Sequence, residues 1–191
     1  VPTGRLALFL CDALSHAVEA WASIVPNAMA KELAVSGLRL VTRGFADPEA
    51  PAHQDLLMGA WFAGAAASHC SVGAAHAFAH TAAASGVGHA HGNALALVPV
   101  TDVLAEAGKL DGLAAAAGFS SVQALRDDVA AIVARGLAGT KAAALAAQIG
   151  DNGGRADFLA RMKADVCLRS FPVRLDDAGV EGLVDRITAA V

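Results

Sequence analysis

An all-α fold follows from three features of this sequence. Alanine and other good helix formers dominate, and 55% of the 191 residues are hydrophobic. Apolar residues recur at helical spacing in segment after segment. No segment sustains the period-two alternation rich in β-branched residues that marks strands. The length suits one domain, or one large half of a two-domain protein, and is enough to bury a sizeable core.

The first helix is expected from about Asp12 to Ser23, with Asp12 at or near its start. Asp12, His16 and Glu19 then share one face, because positions three and four apart are neighbours. Pro26-Asn27 breaks the pattern. A second helix is expected from about Asn27 to Arg43, with apolar Ala30, Leu33, Ala34, Leu38 and Val41, ending at Gly44. Gly44 to Pro51 is a loop with two prolines. Ala52 to about His69 reads as a helix whose Gly and Ala content predicts a buried position. Gly73 to Ala84 reads as another buried helix. Gly86-Val-Gly88 is a turn, and Asn93 to Val100 a short helix or extended piece stopped at Pro99.

Val103 to Ala117 is expected to form one or two helices ending at Gly118. Ser120-Ser-Val-Gln123 resembles a capping box for a helix to about Arg135. Thr140 to Ile149 is a short helix closed by Gly150, Asp157 to Val166 another, and Asp177 to Ala190 the last.

The longest uncharged apolar run, Leu56 to Ala67, is too short to span hydrocarbon, so no membrane role is expected. The formal net charge of -4, with Lys and Arg dispersed, argues against capture of nucleic acid. Three widely spaced cysteines, Cys11, Cys70 and Cys167, point to reduced thiols in a cytoplasmic compartment. No signal peptide is visible. Val1 in place of an initiator Met fits a processed, cloned or truncated start.

The chemistry concentrates in histidine. Five of the seven histidines (His69, His76, His80, His89, His91) fall between residues 69 and 91. Asp12 and His16 at i and i+4 can reach one ion from one helix, and His76 and His80 can do so from another. His91 follows the glycine turn and can fold back toward them, with His89 as a competing imidazole two positions earlier. One carboxylate and two or three imidazoles suit Fe(II) or Zn(II) with a position open to a substrate oxygen. Glu19 suits a carboxylate that supports a ligand or caps a helix. His53 and His69 read as ordinary helix residues. Trp21 and Trp61 read as core, with Trp21 near enough to His16 to line a pocket wall.

Asp12-Ala-Leu-Ser-His-Ala-Val-Glu-Ala20, Gly64-Ala-Ala, Val72-Gly-Ala-Ala-His-Ala-Phe-Ala-His80 and His91-Gly-Asn-Ala-Leu-Ala-Leu-Val-Pro99 resemble, in order, the signatures of the iron-containing (group III) alcohol dehydrogenases. Phe171-Pro172 before an acidic helix start is similar too. The resemblance implies a dehydroquinate synthase-like, two-domain enzyme, of which residues 1–191 are the single all-helical, metal-binding C-terminal domain. The N-terminal α/β domain that binds NAD(P) would lie upstream, since only eleven residues precede Asp12. Carried over residue by residue, the resemblance implies Asp12, His16, His76 and His91 as metal ligands and His80 as a proton relay.

The implied activity is NAD(P)-dependent oxidoreduction of a small alcohol or aldehyde. The family commonly dimerises, largely through the other half. Asp12 and the His91-Gly92 pair point away from the maleylacetate reductase branch, and Val98-Pro-Val-Thr101 lacks a histidine that the family often carries there. Two other readings of the same ligands are a stand-alone metal-binding helical module and a metal-dependent lyase or hydrolase.

Overall fold

The structure is a computed structural model that describes residues 3–151 and 154–190; Val1 lies outside them. Its order is α1 (Thr3–Ala22), α2 (Ala28–Gly44), α3 (His53–Cys70), α4 (Ala74–Ala84), α5 (His89–Glu106), α6 (Asp111–Ala117), α7 (Val122–Leu137), α8 (Ala142–Asp151), α9 (Gly154–Ala164), a 3-10 turn (Val166–Arg169) and α10 (Asp177–Ala189). No strand occurs among the described residues. The expected all-α class is what the chain adopts.

α1 is the hub, packing against α2, α3, α4, α5 and α7. It starts nine residues before Asp12, so Asp12 sits mid-helix rather than at a cap. The reason is the buried run of Ala7, Leu8, Leu10 and Cys11, which continues the core-facing stripe upstream. Asn27 does cap α2, its side chain accepting from the Ala30 amide at 3.0 Å. α3 buries Leu56, Gly59, Ala63 and Ala66, while its other face leaves Leu57, Met58 and Trp61 exposed. Thus α3 is half-buried rather than enclosed.

α5 departs most from expectation. It begins at His89 and runs through Pro99 to Glu106. A proline inside a helix costs roughly 3 kcal/mol. Burial of Leu95, Leu97, Val100 and Leu104 along the same helix offsets that penalty. α4 and α5 are held close by Gly92, where a Cβ would stand 2.7 Å from Ala79 Cα. Downstream, Ser121 rather than Ser120 caps α7, accepting from the Ala124 amide, and Gln123 turns to Asp127. α8 runs past Gly150 to Asp151, and the expected helix to Val166 stops at Ala164 because Asp165 caps the 3-10 turn. No single helix among the described residues is long and apolar enough to cross a membrane.

Candidate metal centre

Three helices bring the chemistry together. Asp12, His16 and Glu19 project from one face of α1, as their spacing predicts. His76 sits in the first turn of α4, whose entry is shaped by Gly73. A Cβ there would lie 2.7 Å from the Phe171 ring and 2.9 Å from Glu19 Oε1. With only hydrogen at that position, the fully buried Glu19 carboxylate reaches the start of α4. Its Oε1 accepts from the Ala75 amide at 2.6 Å, and its Oε2 lies 2.7 Å from His76 Nδ1.

That bond orients the His76 ring. Nδ1–H donates to Glu19, so Nε2 is the nitrogen left to bind an ion once it gives up its proton, and it lies 3.5 Å from Asp12 Oδ1. Nε2 is buried and has no hydrogen-bond partner. The His16 ring stacks on the His76 ring at 4.6 Å between centroids. Asp12, His16 and His76 each offer a ligand atom within 4.8 Å of the others. A buried, unpartnered imidazole nitrogen beside a carboxylate oxygen and a second imidazole is a donor set that fits a divalent cation.

The third imidazole that the structure brings beside Asp12 is that of His89, whereas His91 was the expected one. His89 Nε2 lies 3.4 Å from Asp12 Oδ1, and its ring is 5.6 Å from that of His76 and 5.4 Å from that of His80. The Asn93 side-chain amide donates to Asp12 Oδ1 at 2.6 Å and to His89 Nε2 at 3.0 Å. The cause is the start of α5. Because the helix already begins at His89, Asn93 falls one turn on and on the same face, whereas His91 is rotated about 200° around the axis from His89. His91 does not join the groups that meet at Asp12.

The field of the cluster favours one positive charge. Burial would depress His76, but the two carboxylates beside it, Asp12 facing Nε2 and Glu19 bonded to Nδ1, outweigh it and push it up to about 9. His16 is held below the ordinary range by burial and by the His76 charge. His89 is lowered by burial as well, with His76 and His80 adding to the effect against Asp12. Burial opposes ionisation of Asp12, yet His76 beside it and the other surrounding imidazoles lower it.

His80 lies one turn beyond His76 on α4, its side chain 45% exposed. Its Nδ1 is 3.0 Å from Asp165 Oδ2 and 3.9 Å from Cys167 Sγ. Neither partner was legible in the sequence, being 85 and 87 residues away with no local motif. A cleft of about 750 Å3 opens beside these groups, lined by His16, His76, His80 and His89 and by α3 residues that include Ala60, Trp61 and Gly64. The cleft tryptophan is therefore Trp61, 63% exposed, rather than Trp21. Trp21 instead donates to the Lys109 carbonyl at 3.2 Å under the Lys31 ammonium. His69 is exposed at the end of α3, outside the cleft lining.

Among curated proteins, none matches the sequence. Solved structures match it over its whole length. An iron-containing alcohol dehydrogenase from Thermococcus thioreducens superposes with a TM-score of 0.80 at 20% identity, covering 100% of this chain and 52% of that one. A sulfoacetaldehyde reductase from Bifidobacterium kashiwanohense, solved in complex with NAD+, gives 0.81 at 20% identity with the same coverage. A maleylacetate reductase from Rhizobium sp. strain MTP-10005 gives 0.75 at 23% identity, covering 100% of this chain and 54% of that one. These likenesses establish a shared fold, and the chain spans about half the length of those structures. The family model for the C-terminal region of the Fe-containing alcohol dehydrogenases matches residues 9–183, and the chain belongs to that family.

Proposed function

We propose that residues 1–191 form the single all-helical, metal-holding domain of an NAD(P)-dependent oxidoreductase acting on a small alcohol or aldehyde. The nicotinamide cofactor would be bound by an α/β domain outside this chain. The observation that carries the reading is the buried, unpartnered Nε2 of His76, turned toward Asp12 by the Glu19 bond on Nδ1. Asp12, His16, His76 and His89 would hold Fe(II) or Zn(II), with His89 in the place first expected for His91. The ion supplies Lewis acidity toward a substrate oxygen, the chemistry that eases hydride exchange with a nicotinamide.

The chain's own residues supply orientation and proton transfer. Glu19 fixes the His76 tautomer and raises its donor strength. His80 donates from Nδ1 to Asp165, which leaves Nε2 as its basic nitrogen; half-exposed, that ring can carry a proton between the cleft and solvent. Trp61 and Ala60 give the cleft apolar lining against which the carbon chain of a substrate could pack. The NAD+ complex of the Bifidobacterium reductase supports the cofactor class.

The test uses the full-length protein, assayed for NAD(P)H oxidation with short aldehydes with and without added Fe(II) or Zn(II). His76→Ala should remove stoichiometric metal by elemental analysis. His80→Ala should retain the metal and lose rate by about 100-fold or more. Absence of metal-dependent turnover across substrates and both cofactors would sink the reading.

A further inference from the structure

We propose that His80, Asp165 and Cys167 form a second cation site, distinct from the Asp12 cluster and selective for thiophilic divalent ions such as Zn(II), Co(II) or Cd(II). The three residues come from α4 and from the start of the 3-10 turn, and each offers a donor atom within 4.8 Å of the others. An imidazole nitrogen, a carboxylate oxygen and a thiol sulfur are the donor types that tetrahedral zinc takes.

The spacing fits. Bonds of about 2.3 Å to sulfur and about 2.0–2.2 Å to nitrogen and oxygen place tetrahedral donors roughly 3.4–3.6 Å apart. The observed separations, 3.0 Å from His80 Nδ1 to Asp165 Oδ2 and 3.9 Å from His80 Nδ1 to Cys167 Sγ, bracket that range. Shifts of a few tenths of an ångström would close the site.

The supports are already in place. Asp165 Oδ1 accepts from the Cys167 amide at 2.8 Å, so the carboxylate is anchored through one oxygen while the other faces His80. Cys167 is buried, and Asp165 has a side chain only 14% exposed, so both are held by their surroundings. The exposed His80 ring provides the route from the cleft, and a fourth position is open to water or a small anion.

Binding balances as proton displacement. The imidazole proton leaves Nδ1 and the ring re-protonates at Nε2, staying neutral. The Cys167 thiol gives its proton to solvent as the sulfur–metal bond forms, so one proton is released per ion. An ion here occupies His80 Nδ1 and turns its protonated Nε2 outward. In the proposed reading of His80 as a relay, occupancy therefore blocks proton transfer and inhibits; that consequence rests on the reading, whereas binding does not.

Cobalt titration of the full chain tests the site, because only a thiolate ligand gives a near-ultraviolet sulfur-to-cobalt charge-transfer band and the Asp12 cluster contains no sulfur. The band should appear, and saturation should reach two equivalents, one per donor group. Cys167→Ser should remove the band and one equivalent while circular dichroism stays helical. Asp165→Asn should weaken that equivalent by about tenfold or more.

Asp12→Asn should weaken the other equivalent and leave the band, which separates failure of this site from failure of the first. If Cys167→Ser does not fold, the band is assigned by its survival in Cys11→Ser and Cys70→Ser. No band at saturation, a band that survives Cys167→Ser, or a band lost with Cys11 or Cys70 overturns the proposal.

Discussion

Glu19 holds His76 through a 2.7 Å contact between Oε2 and Nδ1, in a place where the Glu19 side chain is wholly buried. Its other oxygen accepts from the Ala75 amide, so one carboxylate both orients a candidate ligand and satisfies the open end of α4.

Removing that carboxylate should therefore cost stability and metal binding together. In Glu19→Ala, the Ala75 amide and His76 Nδ1 lose their partner in the interior. An orphaned buried polar group costs about 1–3 kcal/mol, and the drop should register as a lower denaturant midpoint. Metal affinity should fall about 10–100-fold, read by competition with a chelator. A variant of unchanged midpoint and affinity would remove Glu19 from the site.

The register of α5 makes a second prediction. His89→Ala should weaken metal binding by about tenfold or more, as expected for loss of an imidazole beside Asp12. His91→Ala should leave stoichiometry unchanged in elemental analysis. The reverse pattern would mean that the helix begins later than His89.

Metal uptake should depend on pH with a defined sign. His76, raised from 6.5 to about 9 against the pull of burial, carries a proton that an incoming ion must displace. Affinity should rise with pH toward 9, with release of one proton from this ring. In the metal-free chain the linkage runs the other way. A folded pKa above the unfolded one contributes stability that is present below 6.5 and lost as pH rises through about 9. Calorimetric metal titrations in buffers of different ionisation enthalpy measure the first, and urea midpoints across the same range the second.

Gly92→Ala should separate α4 from α5. Its Cβ would stand 2.7 Å from the Ala79 backbone, which has no flexible end to move aside. Overpacking of this kind costs about 1–3 kcal/mol. Because His76 and His89 lie on the two helices being forced apart, metal affinity should fall as well, whereas Gly118→Ala, at the end of α6 and outside the cleft lining, should leave it intact.

What was legible in the sequence was local. Asp12 with His16, and His76 with His80, are one-turn pairs, and any helix through them puts each pair on one face. Choosing between His89 and His91 required the phase of α5, set by where the helix starts, and Pro99 had suggested a shorter element than burial in fact sustains. Asp165 and Cys167 were invisible because their meeting with His80 is purely tertiary. Trp61 was misread as core because helical periodicity identifies an apolar face without saying whether a neighbour covers it.

Trp61 also equips the cleft with its own optical reporter. The chain has two tryptophans and no tyrosine, so its near-ultraviolet emission arises almost wholly from two indoles. Trp21 is tied to the Lys109 carbonyl, outside the cleft lining, while Trp61 lines the same cleft as the imidazoles. Intensity and wavelength changes on filling the cleft thus belong to a single ring, and a Trp21→Phe chain would make occupancy readable in solution without a label.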